Sequence, residues 1–248
     1  MKENTRWKLI AAAGLILLSG ILYTTHYMIF QDEHHLWIFL IGDLAFIPIE
    51  VLVVSLIIDQ MLESREKQQR MEKLNMVIGT FFSKIGTPLL AQLCGVDPSI
   101  ESIKNRLVIG ADWHNSMFRE VQECLNTYTC DVVISRIDMD ALREFLVNNE
   151  DLLLRLVENP MVFEHESFSD LLLAINHLTE EMKARGELTA LPLPDTDHLT
   201  TDLKRVYSQL IREWLTYMEY LRNHYPYLFS LAMRKNPFNA SACVVIKD

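Results

Sequence analysis

The sequence predicts an all-α chain: an N-terminal two-helix transmembrane hairpin, a helical stalk and a cytoplasmic helical domain. Three observations carry that reading. Half of the 248 residues are apolar and they are concentrated, with Asp32, Glu33, Asp43 and Glu50 the only charges between Leu9 and Ile58; a soluble domain disperses its apolar residues. Later apolar residues recur at helical spacing, as in Phe168, Leu171, Leu172, Ile175, Leu178 and Met182. Neither an internal repeat nor an alternation of strand and helix patterns is present.

Residues 9–30 carry no charge, and residues 36–58 carry two carboxylates. About 20 helical residues cross a hydrocarbon core of ~30 Å, so both runs suffice. The link, residues 31–35, is short, and the two helices therefore run antiparallel. Lys2, Arg6 and Lys8 precede the first run, Arg65, Lys67, Arg70 and Lys73 follow the second, and the link has no Lys or Arg. That asymmetry puts both termini in the cytoplasm, with the second basic group against anionic headgroups. The first run outlasts the roughly 7–15 apolar residues of a signal peptide and lacks a small-x-small cleavage site, so it reads as a retained span.

Residues 1–60 thus form the hairpin. Residues 61–86 read as a stalk continuing the second span, since 59–73 holds neither Gly nor Pro; Gly86-Thr87-Pro88 is expected to break it. Residues 87–237 form the helical domain. Asp97-Pro98 opens a short helix to about Val108, and residues 115–128 form another. Asp138 and Asn149 cap two more, and residues 167–185 carry the stripe above, with Gly186 just past its end. Residues 188–197, with Pro192 and Pro194, read as a loop, and 198–223 as the longest helix. In the tail, 238–248, residues 243–246 could pair as a short strand with 132–134.

Several chemistries are excluded. From residue 59 on, 20 Lys and Arg face 28 Asp and Glu, which argues against nucleic acid as a partner. Cys94, Cys124, Cys130 and Cys243 form no C-x-x-C and read as reduced thiols. No nucleophile elbow, Gly-rich phosphate loop or His-Glu-x-x-His occurs, so no catalytic residue, cofactor or metal is assigned. Asp170, His177 and Glu181 share one helical face near Glu164, His165 and Glu166, a set able to ligate a metal. The Glu-x-x-His of di-iron bundles is missing, however, and a solvated polar face accounts for the pattern. Residues 195–198 (DTDH) read as an N-cap. His34 and His35 beside Asp32 and Glu33 could bind a metal or sense pH, but a polar turn explains them as well. His26 has no histidine in the second run with which to hold a haem.

Asp43 and Glu50 are the sharpest feature. Seven residues make about 700° of rotation and about 10 Å of rise, so they share a face. Pro48 between them removes a backbone donor and predicts a kink. A charge at mid-bilayer costs about 2.5–3.5 kcal/mol on insertion scales. Counting back from the link puts Asp43 level with Tyr23, with Thr24 and His26 within a turn, so Asp43 can bond inside the hairpin. Glu50 falls level with Ile16 and has only Ser19 nearby. It is directed to an interface within an assembly or, alternatively, to a cation path.

Residues 41–50 (IGDLAFIPIE), 72–79 (EKLNMVIG) and 225–231 (YPYLFSL) resemble a group of uncharacterised prokaryotic two-span membrane proteins with a cytoplasmic helical domain. The resemblance implies the architecture and a prokaryotic plasma (inner) membrane; it carries over no functional residue. The expectation is a membrane-anchored module that self-associates and acts as a scaffold, sensor or regulator rather than an enzyme. The alternative is a small homo-oligomeric cation channel lined by Asp43 and Glu50, and the third reading is an unrecognised membrane enzyme.

Overall fold

The computed structural model describes residues 2–188 and 190–245. No strand occurs among the described residues, and the chain is all-α. It divides into two compact units, Met1–Lys67 and Gln68–Asp248.

The first unit holds α1 (Lys2–Phe30) and the start of α2 (Glu33–Phe81). Apolar side chains cover every side of these helices: the consecutive Leu15, Ile16, Leu17 and Leu18 of α1, and Leu44, Phe46, Ile49, Val51 and Leu52 of α2, are all more than half exposed. Both helices are long and apolar enough to cross a membrane. The turn is Gln31-Asp32 alone, shorter than the expected link. Residues 33–35 are already helical because Asp32 Oδ1 accepts from the His35 N–H at 3.1 Å. Gln31 takes φ 46°, the left-handed conformation that ends many helices. α2 continues through Pro48, where the Leu44 carbonyl loses its i+4 donor.

In the second unit, the apolar residues of α2 turn inward: Leu74, Ile78 and Phe81 are buried at helical spacing. Gly86-Thr87-Pro88 does not break the helix. A π turn over Phe82–Gly86, closed by the Thr87 N–H on the Phe82 carbonyl, leads into α3 (Thr87–Cys94). Pro88 sits in the first turn of α3, directly after the π turn, where the helical bonding already changes register. Gly86 is there for space, since a Cβ would lie 2.5 Å from Phe82 Cδ1 and 2.8 Å from Phe81 Cε1.

Asp97 does cap the next segment, but the segment is a pair of 3-10 turns, Pro98–Ser102 and Lys104–Arg106, rather than an α-helix. The buried Asp97 carboxylate is saturated by three donors. Its Oδ1 accepts from the N–H groups of Ser99 (2.9 Å) and Asp131 (3.0 Å), and its Oδ2 from the Tyr128 hydroxyl. Burial first, then the bond to Asp97, push the Tyr128 phenol up. The loop after α4 (Asn115–Thr127) is thereby tied back to the segment after α3. The Val133 N–H donates to the Val96 carbonyl at 3.2 Å, so residues 132–134 form a loop and a 3-10 turn and not a strand. Their proposed partner is irregular over 243–245, and Ile246 lies outside the described residues.

Asp138 caps α5 (Met139–Asn148), its Oδ1 accepting from the Ala141 N–H at 2.9 Å. Asn149 holds the N-cap position of α6 (Glu150–Val157) but makes no side-chain cap; its amide donates to the Phe145 carbonyl. α7 (Glu166–Ala184) packs on α5, α6 and, most extensively, on α8 (Leu193–His224). α8 starts within the expected loop, because Pro194 fits its first turn. Pro226 begins α9 (Pro226–Met233). Leu171, Ile175 and Leu178 of α7 and Leu199, Leu203 and Val206 of α8 are fully buried and belong to one core.

Removing the Asp97 carboxylate strands two backbone N–H groups and a phenol. Asp97→Ala is expected to destabilise the second unit by about 3 kcal/mol, given roughly 1–3 kcal/mol per stranded group. Asp97→Asn recovers part of that loss, and denaturant titration of the full chain by near-UV circular dichroism checks both.

Candidate functional site

In the first unit, the Tyr23 hydroxyl donates to Asp43 Oδ2 at 3.4 Å. His26 packs against the rings of Phe30, His35 and Phe39. The Thr24 hydroxyl is spent locally on the Gly20 carbonyl. Glu50, next to the helical turn weakened by Pro48, makes no hydrogen bond or ion pair among the described residues and is exposed. Arg65, Lys67 and Lys73 are exposed. Arg70 pairs with Glu164 at 3.1 Å inside the second unit.

A different polar group forms where α7 meets α8. The two helices run antiparallel, with His177 opposite Asp202, Glu181 opposite His198, and Arg185 opposite Asp195. Each helix carries a histidine and a carboxylate four residues apart, so one reversal of direction brings imidazole to carboxylate twice. His177 Nε2 and His198 Nε2 each lie 3.5 Å from Asp202 Oδ2. His198 Nε2 is 3.5 Å from Glu181 Oε2, and His177 Nε2 is 4.0 Å from Glu181 Oε1. Asp202 is 3% exposed, and its Oδ2 accepts no hydrogen bond, whereas Oδ1 faces Arg205 Nη1 at 3.2 Å.

Arg185 braces the group. Its Nη1 donates to Glu181 Oε2 at 2.6 Å, and its Nε and Nη2 donate to the two Asp195 oxygens at 2.8 and 2.5 Å. The Arg185 hydrogen bonds are the main cause holding the Glu181 and Asp195 carboxyls below their usual range.

This arrangement corrects two expectations. Residues 195–198 are not an N-cap: Pro192 precedes the helix, Asp195 binds Arg185, and His198 faces Glu181. His177 and Glu181 do not form a merely solvated face, since α8 lies across from them. Asp170 stays outside, on a surface concavity with Glu164, His165, Glu166 and Ser167. The signal in the sequence was His-x-x-x-Glu followed, across a short link, by His-x-x-x-Asp.

Two other places offer less chemistry. Burial pushes the Cys94 and Cys130 thiols up, away from reactive thiolates. A groove of about 670 Å³ involving α2, α8 and α9 is walled by Phe82, Trp214, Tyr217 and Tyr225, with no His, Cys, Asp or Glu in its lining.

A carboxyl depressed in the fold contributes stability above its unfolded pKa of about 4 and loses it as pH falls through the folded value. Arg185→Met is therefore expected to raise the titration midpoints of Glu181 and Asp195 towards the ordinary range. It should also flatten the loss of stability on the acid side; side-chain carboxyl ¹³C shifts followed against pH check the first point.

Residues 2–62 match the N-terminal helical domain, and residues 70–234 the C-terminal helical domain, of the family described as uncharacterized protein MJ1433. The Methanocaldococcus jannaschii protein of that name is 42% identical over 246 residues, which cover 99% of each chain. No solved structure matches. The two matched domains lie on either side of the division between the compact units, and the chain belongs to the MJ1433 family of helical proteins.

Proposed function

We propose that the chain is a membrane-anchored helical module of a prokaryotic plasma membrane, acting through interaction as an oligomeric scaffold, sensor or regulator. The observation that carries this reading is the exposure of the first unit. None of the most apolar 18-residue stretch in either α1 or α2 is buried. A core helix of a soluble protein hides such a surface, and exposed apolar patches beyond a few hundred Å² mark a membrane or a partner. A bilayer covers all sides of both helices at once. The absence of Lys and Arg between residues 9 and 58, against basic residues on both flanks, supports cytoplasmic termini.

Self-association rests on Glu50. Asp43 has Tyr23 within its own chain; Glu50 has no such partner among the described residues, and a charge at that depth is costly. A second copy supplies the missing contact. The same unpaired carboxylate supports the alternative of a small cation path.

The test is the particle mass in lipid nanodiscs, for wild type and Glu50→Leu. Wild type is expected as a defined oligomer that resists alkaline extraction from membranes, and Glu50→Leu as a smaller species. A wild-type monomer overturns the self-association. An oligomer indifferent to Glu50→Leu removes the carboxyl tie, and cation flux in liposomes abolished by Glu50→Gln would then favour the channel.

A further inference from the structure

We propose that His177, Glu181, His198 and Asp202 form a binding site for a divalent first-row transition ion of the zinc type, set in the seam between α7 and α8. The inference is independent of the membrane reading.

Three lone-pair atoms, His177 Nε2, His198 Nε2 and Asp202 Oδ2, lie within 4.8 Å of one another. Two of their separations are 3.5 Å. Zinc takes nitrogen and oxygen ligands at about 2.0–2.2 Å in a tetrahedron, which places neighbouring ligand atoms roughly 3.3–3.6 Å apart. Two of the separations meet that spacing; the two imidazole nitrogens, held to within 4.8 Å, close on an ion by rotation of their side chains. Glu181, with Oε2 3.5 Å from His198 and Oε1 4.0 Å from His177, flanks these three and completes the set by turning an oxygen inward.

The independent sign is Asp202. A buried carboxylate oxygen without a hydrogen bond is costly, and Oδ2 is in that state although two imidazoles stand 3.5 Å away. A cation at the point where the three atoms converge would use its lone pair. Two imidazoles select against magnesium and calcium and suit zinc, cobalt, nickel or ferrous ions.

Charge permits a dication. Glu181, Asp195 and Asp202 carry three negative charges, and Arg185 and Arg205 carry two positive ones. Both guanidiniums are engaged with those carboxylates, and with neutral imidazoles the group is left at −1. Arg185 acts here as a positioning residue, orienting Glu181 from outside the ligand ring. The His177 and His198 side chains are 46% and 50% exposed, so the ion exchanges directly with solvent.

The test uses the full chain, purified without a histidine tag, stripped with chelator and titrated with Co²⁺. One ion per chain is expected, with the visible absorption of a four- or five-coordinate site, displaced by Zn²⁺. His177→Ala and His198→Ala are each expected to weaken binding by about a hundredfold or more, since losing even an outer partner costs roughly 10–100-fold. The double substitution of His34 and His35 to Ala is expected to change nothing. In wild type, ¹⁵N shifts of the His177 and His198 imidazoles should move on adding Zn²⁺, a readout that does not depend on a variant folding. A wild-type chain without saturable Co²⁺ absorption overturns the site. So does binding that survives both single substitutions with helicity intact, or Zn²⁺-induced shifts confined to the other histidines.

Discussion

The register between α7 and α8 governs the second unit. Both helices bury a stripe, Leu171, Ile175 and Leu178 on one and Leu199, Leu203 and Val206 on the other, and such stripes tolerate sliding by a turn. The polar edge does not. In the observed register His177 faces Asp202 and Glu181 faces His198. A slip of one turn would set His177 against His198 or Glu181 against Asp202, placing like groups together around a buried carboxylate. Like charges at such distances are unfavourable, and a stranded buried charge more so. Apolar burial thus supplies the drive to pack, and the ring of alternating imidazole and carboxylate selects one packing. Arg185 extends the selection by a further turn through Asp195.

The first unit meets a different constraint, because its side chains find little of their own chain to pack against. Polar groups there settle locally where they are able to. The Thr24 and Thr25 hydroxyls return to carbonyls four residues back, Tyr27 reaches Glu33, and Tyr23 reaches Asp43. These bonds satisfy the polar side chains of the hairpin nearest the turn. Glu50 lies beyond the reach of any of them, more than four turns along α2 from its start. The two carboxylates therefore differ in kind, although sequence spacing alone makes them look equivalent.

What was legible in the sequence follows from how local each cause is. The stripe of α7, the caps at Asp97 and Asp138 and the pairing level of Tyr23 with Asp43 depend on spacing within a few turns or on counting from a turn. Misreadings came where a residue's meaning depends on its place in an element. Pro88 and Pro194 look like breakers but each occupies a helix's first turn. The π turn at Phe82–Gly86 absorbs the glycine because Phe81 and Phe82 close over it. The group around Asp202 is half visible in the sequence, as His177 with Glu181; the other half needs α8, and the antiparallel register of α8 on α7, before His198 and Asp202 meet it. Contacts such as Asp97 with Asp131 join residues far apart in sequence, and no periodicity announces them.

The position of the α7–α8 ring also bears on what an ion there would do. A structural zinc in a small domain supplies folding energy that the core lacks. Here the same two helices already bury Leu171, Ile175, Leu203 and Val206 completely, so the seam is closed without a metal. An ion binding such a preformed set adds stability only by mass action, as the logarithm of its concentration over its dissociation constant. Occupancy then follows the ion's availability across the exposed imidazole edge, and folding does not depend on it. The carboxylate of Asp202, buried deeply enough to fix the helix register, is also held, with one oxygen unbonded, where a cation can reach it.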